Sequence, residues 1–153
     1  MVAMGLLAAA CSKSSTPTTS ASSSAPNSPS AAEGVTIGTA SASLGTFLVG
    51  PDGKSLYLFE ADTSSQSTCS GDCAVGWPPI TTNGSPVAGS GVMQSLLSTT
   101  PRADGTMQVV YNGHPLYYYS GDTKAGDTNG EGVTAFGAGW DVVSPAGKKI
   151  EKP

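Results

Sequence analysis

Two aspartates, two cysteines and a single histidine hold most of the chemistry this sequence could carry. Asp62 and Asp122 close two similar segments, Tyr57-x-Phe59-x-x-Asp62 and Tyr117-x-Tyr119-x-x-Asp122. A carboxylate pair serves glycoside hydrolysis when its members flank one sugar bond. Matching positions in repeated segments have a simpler reading, the same Asx-turn cap used twice at a strand end. Cys69, Cys73 and His114 offer two thiolates and an imidazole, a set that suits copper and would make a metal or redox carrier. Because His114 is the only histidine, a His-rich metal site is ruled out. A Ser-His-Asp triad would have to draw on a residue beside a hairpin turn.

Other candidates are weaker. The loop from Asp122 to Gly132 is rich in oxygen ligands and glycine, but it lacks the EF-hand pattern and its terminal Glu, so surface Asx-turns are preferred over calcium. Tyr57, Phe59, Tyr117 and Tyr119, with Trp77 and Trp140, could line a groove for a planar ligand or a sugar. Their strand positions favour the core instead. The expectation is a non-catalytic module without cofactor, the copper or redox carrier being the opposing class.

The elements that position these residues come in duplicate. Asp52-Gly53-Lys54-Ser55-Leu56-Tyr57-Leu58-Phe59 is matched by Asn112-Gly113-His114-Pro115-Leu116-Tyr117-Tyr118-Tyr119, and Gly45-Thr46 by Gly105-Thr106 at the same offset. Such self-similarity marks a tandem repeat. Asp-Gly and Asn-Gly accept the positive φ angles of a two-residue type I′ hairpin turn, and both are flanked by β-branched and aromatic residues. Alternation along a strand puts Tyr57 and Phe59 on one face and Leu56 and Leu58 on the other; Tyr117 and Tyr119 likewise oppose Leu116 and Tyr118. Strands apolar on both faces belong inside a sandwich or barrel. The fold class is therefore all-β, two pseudo-symmetric hairpin-based repeats forming one small sandwich or barrel.

These motifs are similar to those of bacterial secreted lipoproteins named for the motif Yx(FWY)xxD. Cys69-Ser70-Gly71-Asp72-Cys73 leading to Trp77-Pro78-Pro79, and Gly130-Glu131-Gly132 followed by Trp140, share in the resemblance, which covers about residues 35 to 147. It implies an exported, lipid-anchored β domain of tandem repeats and no established activity.

Residues 1–11 read as a lipoprotein signal segment: a short apolar stretch ends in Ala8-Ala9-Ala10-Cys11, which resembles a lipobox with Cys11 as the lipidated residue. Ala8 replaces the usual Leu, and no basic residue precedes the stretch, which fits a start codon assigned too far downstream. Residues 12–33, almost all Ser, Thr, Ala and Pro, cannot bury enough apolar surface to order themselves. They read as a tether spanning roughly 25 Å as a flexible coil. The β domain is expected over 34–147, split at about 90/91, with a one- or two-turn helix from Val92 to Leu97 as the link and 148–153 as a frayed tail.

Within the domain, Val35 to Ile37 and Thr46 to Val49 read as strands, the latter pairing with Ser55 to Phe59. The last strand is expected at Gly139 to Val143. The net charge of −4 and only 7 basic residues argue against nucleic acid as a partner. The expected partners are the membrane, through the lipid on Cys11, and an unknown envelope ligand or protein. With Cys11 lipidated, Cys69 and Cys73 form an even pair, read as a local disulfide worth about 2 kcal/mol, with a redox or metal-binding dithiol as the alternative.

Overall fold

The computed structural model describes residues 34–152. The signal segment with Cys11 and the tether lie outside them. Ten short strands make up the order: β1 Thr36–Ala42, β2 Gly45–Val49, β3 Tyr57–Phe59, β4 Thr81–Thr82, β5 Val87–Ala88, β6 Leu97–Pro101, β7 Met107–Tyr111, β8 His114–Pro115, β9 Val133–Ala135 and β10 Ala138–Val142. They form three small sheets, β2-β1-β5, β3-β10-β9 and β4-β7-β6 with β8 beside β7, so the all-β architecture is a small sandwich and not a closed barrel. The expected link between repeats is a single 3₁₀ turn at Gln94–Leu96. A short helix, α1 (Asp72–Gly76), begins at the end of the Cys69–Cys73 loop and carries Cys73, where no helix was expected.

The two hairpin turns differ. Asn112 and Gly113 both have positive φ, 48° and 84°, and Tyr111 pairs with His114, as a type I′ turn requires. In the first repeat only Gly53 of the turn has positive φ, 76°, and its N–H bonds to Gly50 O while Gly50 N–H bonds to Lys54 O. That is a three-residue loop: Pro51 presets a type I turn and Gly53 supplies the bulge. The two-residue turn expected at Asp52-Gly53 is corrected accordingly.

Strand pairing departs further from expectation. β2 pairs along its length with β1, from Gly38↔Val49 to Ala42↔Gly45, and touches the following strand only through Val49↔Ser55 and Leu56 N–H to Leu48 O. Beyond Leu56 the chain crosses to the other repeat. There β3 pairs with β10, Phe59 opposite Trp140, and Tyr57 and Tyr117 exchange backbone bonds of 2.8 and 2.9 Å in each direction. The tails cross in the same way. Thr81 and Thr82 at the end of the first repeat pair with β7, while Val143 at the end of the second accepts from Leu48 N–H. The repeats are therefore interleaved around an approximate two-fold axis between Tyr57 and Tyr117.

Alternation sorts the interior as expected. Tyr57, Phe59, Tyr117, Trp77 and Trp140 share one buried cluster, and Leu56, Leu58, Leu116, Ile37 and Tyr111 share the other. The central strand segments separate the two. Of the 148–153 tail expected to fray, Lys148 to Ile150 are tied down: Ser144 N–H bonds to Lys148 O, Ile150 N–H bonds to Val142 O, Val143 bridges Lys149, and Lys149 Nζ lies 2.9 Å from Glu60 Oε1. Ile150 packs on the first cluster, which gives Lys148 to Ile150 a reason to order despite their charged neighbours.

Candidate functional site

Every residue of the repeated motif is spent on joining one repeat to the other. Tyr57 donates its phenol proton to Asp122 Oδ2 and Tyr117 donates to Asp62 Oδ2, both at 2.6 Å. The second aromatic of each motif packs against the other repeat's tryptophan, Phe59 stacked and Tyr119 tilted by 31°. Phe59 lies 4.1 Å from Trp140 and Tyr119 lies 4.3 Å from Trp77, while the two tryptophans stack at 4.0 Å. A column of four rings thus runs Phe59, Trp140, Trp77, Tyr119 across the axis, with Tyr57 edge-on to Trp77 and Tyr117 edge-on to Trp140.

The aspartates also hold the loops that follow them. Asp62 Oδ1 accepts Thr68 N–H at 2.7 Å and its hydroxyl at 2.6 Å; Asp122 Oδ1 accepts Asn129 N–H at 2.9 Å. Neither makes the local Asx-turn expected of it: Asp62 reaches an amide six residues on and Asp122 one seven residues on, and each also binds the tyrosine of its twin. Gly130 N–H adds a bond to the Tyr57 phenol oxygen, Oη, at 3.2 Å. Glycine is required there because a Cβ would sit 2.8 Å from Trp77 and 3.0 Å from Tyr119. Where the first repeat has its disulfide, the second brings bare backbone against the ring column.

Burial raises the pKa of both phenols, and the carboxylates they face, Asp122 for Tyr57 and Asp62 for Tyr117, raise them further, so both tyrosines remain donors. Burial also raises Asp122 above its ordinary value, against the pull of Tyr57 and Asn129. Glu131 and Asp141 are raised by the same desolvation. With folded pKa values above the unfolded ones, these three groups take up protons first in the native state. Their contribution to stability is full below the unfolded pKa and is lost as pH rises through the folded pKa. Glu60, Asp104 and Asp127 are shifted down and work in the opposite sense, but they are solvent-screened. The urea midpoint is therefore expected to rise as pH is lowered from 7 toward the unfolded carboxylate range, about 4, and Asp141→Asn should reduce the rise. A lower midpoint at the acid end would contradict this.

The remaining candidates separate. Trp77 and Trp140 are 2% and 0% exposed, so they are core, as their positions favoured, and the ligand groove considered for them does not form. Cys69 and Cys73 are joined in a disulfide with Cα atoms 5.3 Å apart. His114 lies elsewhere, bordering a recess beside Glu60 and Lys149. The copper set of Cys69, Cys73 and His114 is thus not assembled: the thiols are bonded to each other, and no three His, Cys, Asp or Glu converge among the described residues. Asp62 and Asp122 face buried tyrosines and loop amides, an arrangement that fastens the repeats rather than flanking a sugar bond.

One polar network went unread in the sequence. The side chain of Arg102, 8% exposed, donates to Ser67 Oγ at 2.9 Å, Gln108 Oε1 at 2.7 Å and Cys69 O at 2.8 Å. Since the Tyr117 proton goes to Asp62, Ser67 donates its own to the Tyr117 oxygen at 2.6 Å. The available signal was a break in the repeat. Ser41 pairs with Thr46 where Arg102 bonds to Thr106, and Leu48 stands where the second repeat has Gln108.

This interleaved pair of units is matched by a family model, that of a secreted repeat of unknown function, at residues 38–81 and again at 98–144, together more than half of the chain. The chain belongs to this family. As a tandem secreted repeat it is an exported protein, and the matched segments are the two units that exchange tyrosines, aspartates and tails. Neither the curated proteins nor the solved structures include a significant match.

Proposed function

We propose that this secreted repeat is a lipid-anchored cell-envelope protein whose β domain acts as a non-catalytic binding or structural module, held off the outer face of the membrane by the 12–33 tether. The observation that carries the reading is the reciprocal Tyr57–Asp122 and Tyr117–Asp62 exchange. The groups best suited to acid–base work are engaged with one another and withdrawn from solvent. The disulfide suits an oxidising compartment. No helix among the described residues is long and apolar enough to cross a membrane. In this reading the anchor is the lipid on Cys11. A single acyl chain holds only weakly, so stable retention calls for the multiple chains of a lipobox cysteine.

Fractionation of expressing cells tests the anchor. The wild-type chain is expected in the membrane fraction and Cys11→Ser in the soluble or secreted fraction. Retention of Cys11→Ser on membranes would overturn the anchor.

A further inference from the structure

We infer that the cleft between the disulfide loop and the β6–β7 turn binds a small organic carboxylate through Arg102. The inference rests on reading the domain as a binding module and supplies its ligand class. The cleft measures about 460 Å³ and is bordered by Gln66, Ser67, Cys69, Ala74, Arg102 and Asp104. Arg102 is the only arginine of the sequence, and its side chain is more than nine-tenths buried in the cleft wall. A buried guanidinium is costly unless its charge is matched. Here the three groups that accept from it, a hydroxyl, an amide and a backbone carbonyl, are all neutral.

Among the described residues, the one carboxylate within ion-pair range is Asp104, whose Oδ2 stays 3.8 Å from Nε, beyond hydrogen-bond distance. Its Oδ1 is held by the Thr106 N–H and hydroxyl at 2.9 and 2.6 Å. Nε is buried and has no partner. Of the five guanidinium N–H groups, three are taken, leaving Nε–H and one on Nη2. Those neighbouring nitrogens form the side-on fork that a carboxylate meets with both oxygens.

The duplicated scaffold provides an internal control. With Ser41 and Leu48 opposite matching partners, the first repeat builds the corresponding hairpin, closed by a two-residue turn, without a buried cation. The fold does not demand Arg102. Asp104 at the rim disfavours a doubly charged ligand and so selects a monoanionic carboxylate over phosphate.

The test is NMR of the Arg102 Nε–H resonance in the whole chain, titrated at constant ionic strength with acetate, N-acetylalanine and inorganic phosphate. Saturable shifts with the two carboxylates, at least several-fold tighter than with phosphate, are expected. Asp104→Asn should tighten carboxylate binding several-fold by removing the rim charge. Arg102→Lys, followed through the Ser67 and Ala103 amides, should lose it, since an ammonium has no fork. Shifts that only track salt, phosphate binding as tightly as acetate, or no gain from Asp104→Asn would each overturn the inference. If Arg102→Lys fails to fold, Asp104→Asn still decides. These outcomes are independent of whether Cys11→Ser leaves the membrane.

Discussion

Expressed separately, residues 34–90 and 91–152 are each expected to remain unfolded, while the joined domain folds cooperatively. Each half keeps its own hairpin, β1–β2 or β6–β7, but loses the partner of its central strand, its tail and its aspartate. A half would expose one side of the ring column and leave Asp62 or Asp122 without its tyrosine. Chains of this size bury too small a fraction of their surface to offset such losses. Amide proton spectra check this: narrow dispersion is expected for each half, and native-like dispersion in an isolated half would contradict the interleaved fold.

Trp140→Ala is the point substitution with the largest expected effect, about 3–5 kcal/mol of stability. Trp140 is fully buried, lies between Phe59 and Trp77, and takes the edge contact of Tyr117. Its removal opens a cavity at the axis, where strands from both repeats meet and neither can close it alone. Trp77→Ala should cost a similar amount, because Trp77 holds the equivalent place between Tyr119 and Trp140. Val75→Ala, at a side chain 74% exposed, should stay within about 0.5 kcal/mol. Denaturant midpoints measure all three. Equal midpoints for Trp140→Ala and Val75→Ala would sink the ring column as a source of stability.

Which parts of this were legible in the sequence follows from what periodicity encodes. Alternation assigns faces, and it placed Tyr57 and Phe59 opposite Leu56 and Leu58, as the two clusters show. It does not assign partners. A Tyr-x-aromatic-x-x-Asp motif reads the same whether the aspartate caps its own strand or binds a tyrosine from the other copy. The exchange between Tyr57 and Asp122 was therefore invisible, and the local Asx-turns expected of the aspartates give way to bonds with loop amides six and seven residues on. Asn112-Gly113 disclosed its turn because both residues tolerate positive φ, whereas Pro51 shifted the first turn by favouring type I geometry. Arg102 was passed over because a basic residue near a turn usually faces solvent. Only its neighbours, Ser67 and Cys69 on a distant loop and Gln108 on the adjoining strand, turn it inward.

The central claim is that each motif tyrosine is held by the other repeat's aspartate, and a pair of double-mutant cycles tests it most directly. One cycle combines Tyr57→Phe with Asp122→Asn, and the other combines Tyr57→Phe with Asp62→Asn. The structure predicts a coupling of about 1.5–3 kcal/mol in the first, the worth of a buried hydrogen bond to a charged acceptor, and near additivity in the second. Additivity between Tyr57 and Asp122, or strong coupling between Tyr57 and the aspartate of its own repeat, would contradict the exchange on which the account of this domain rests.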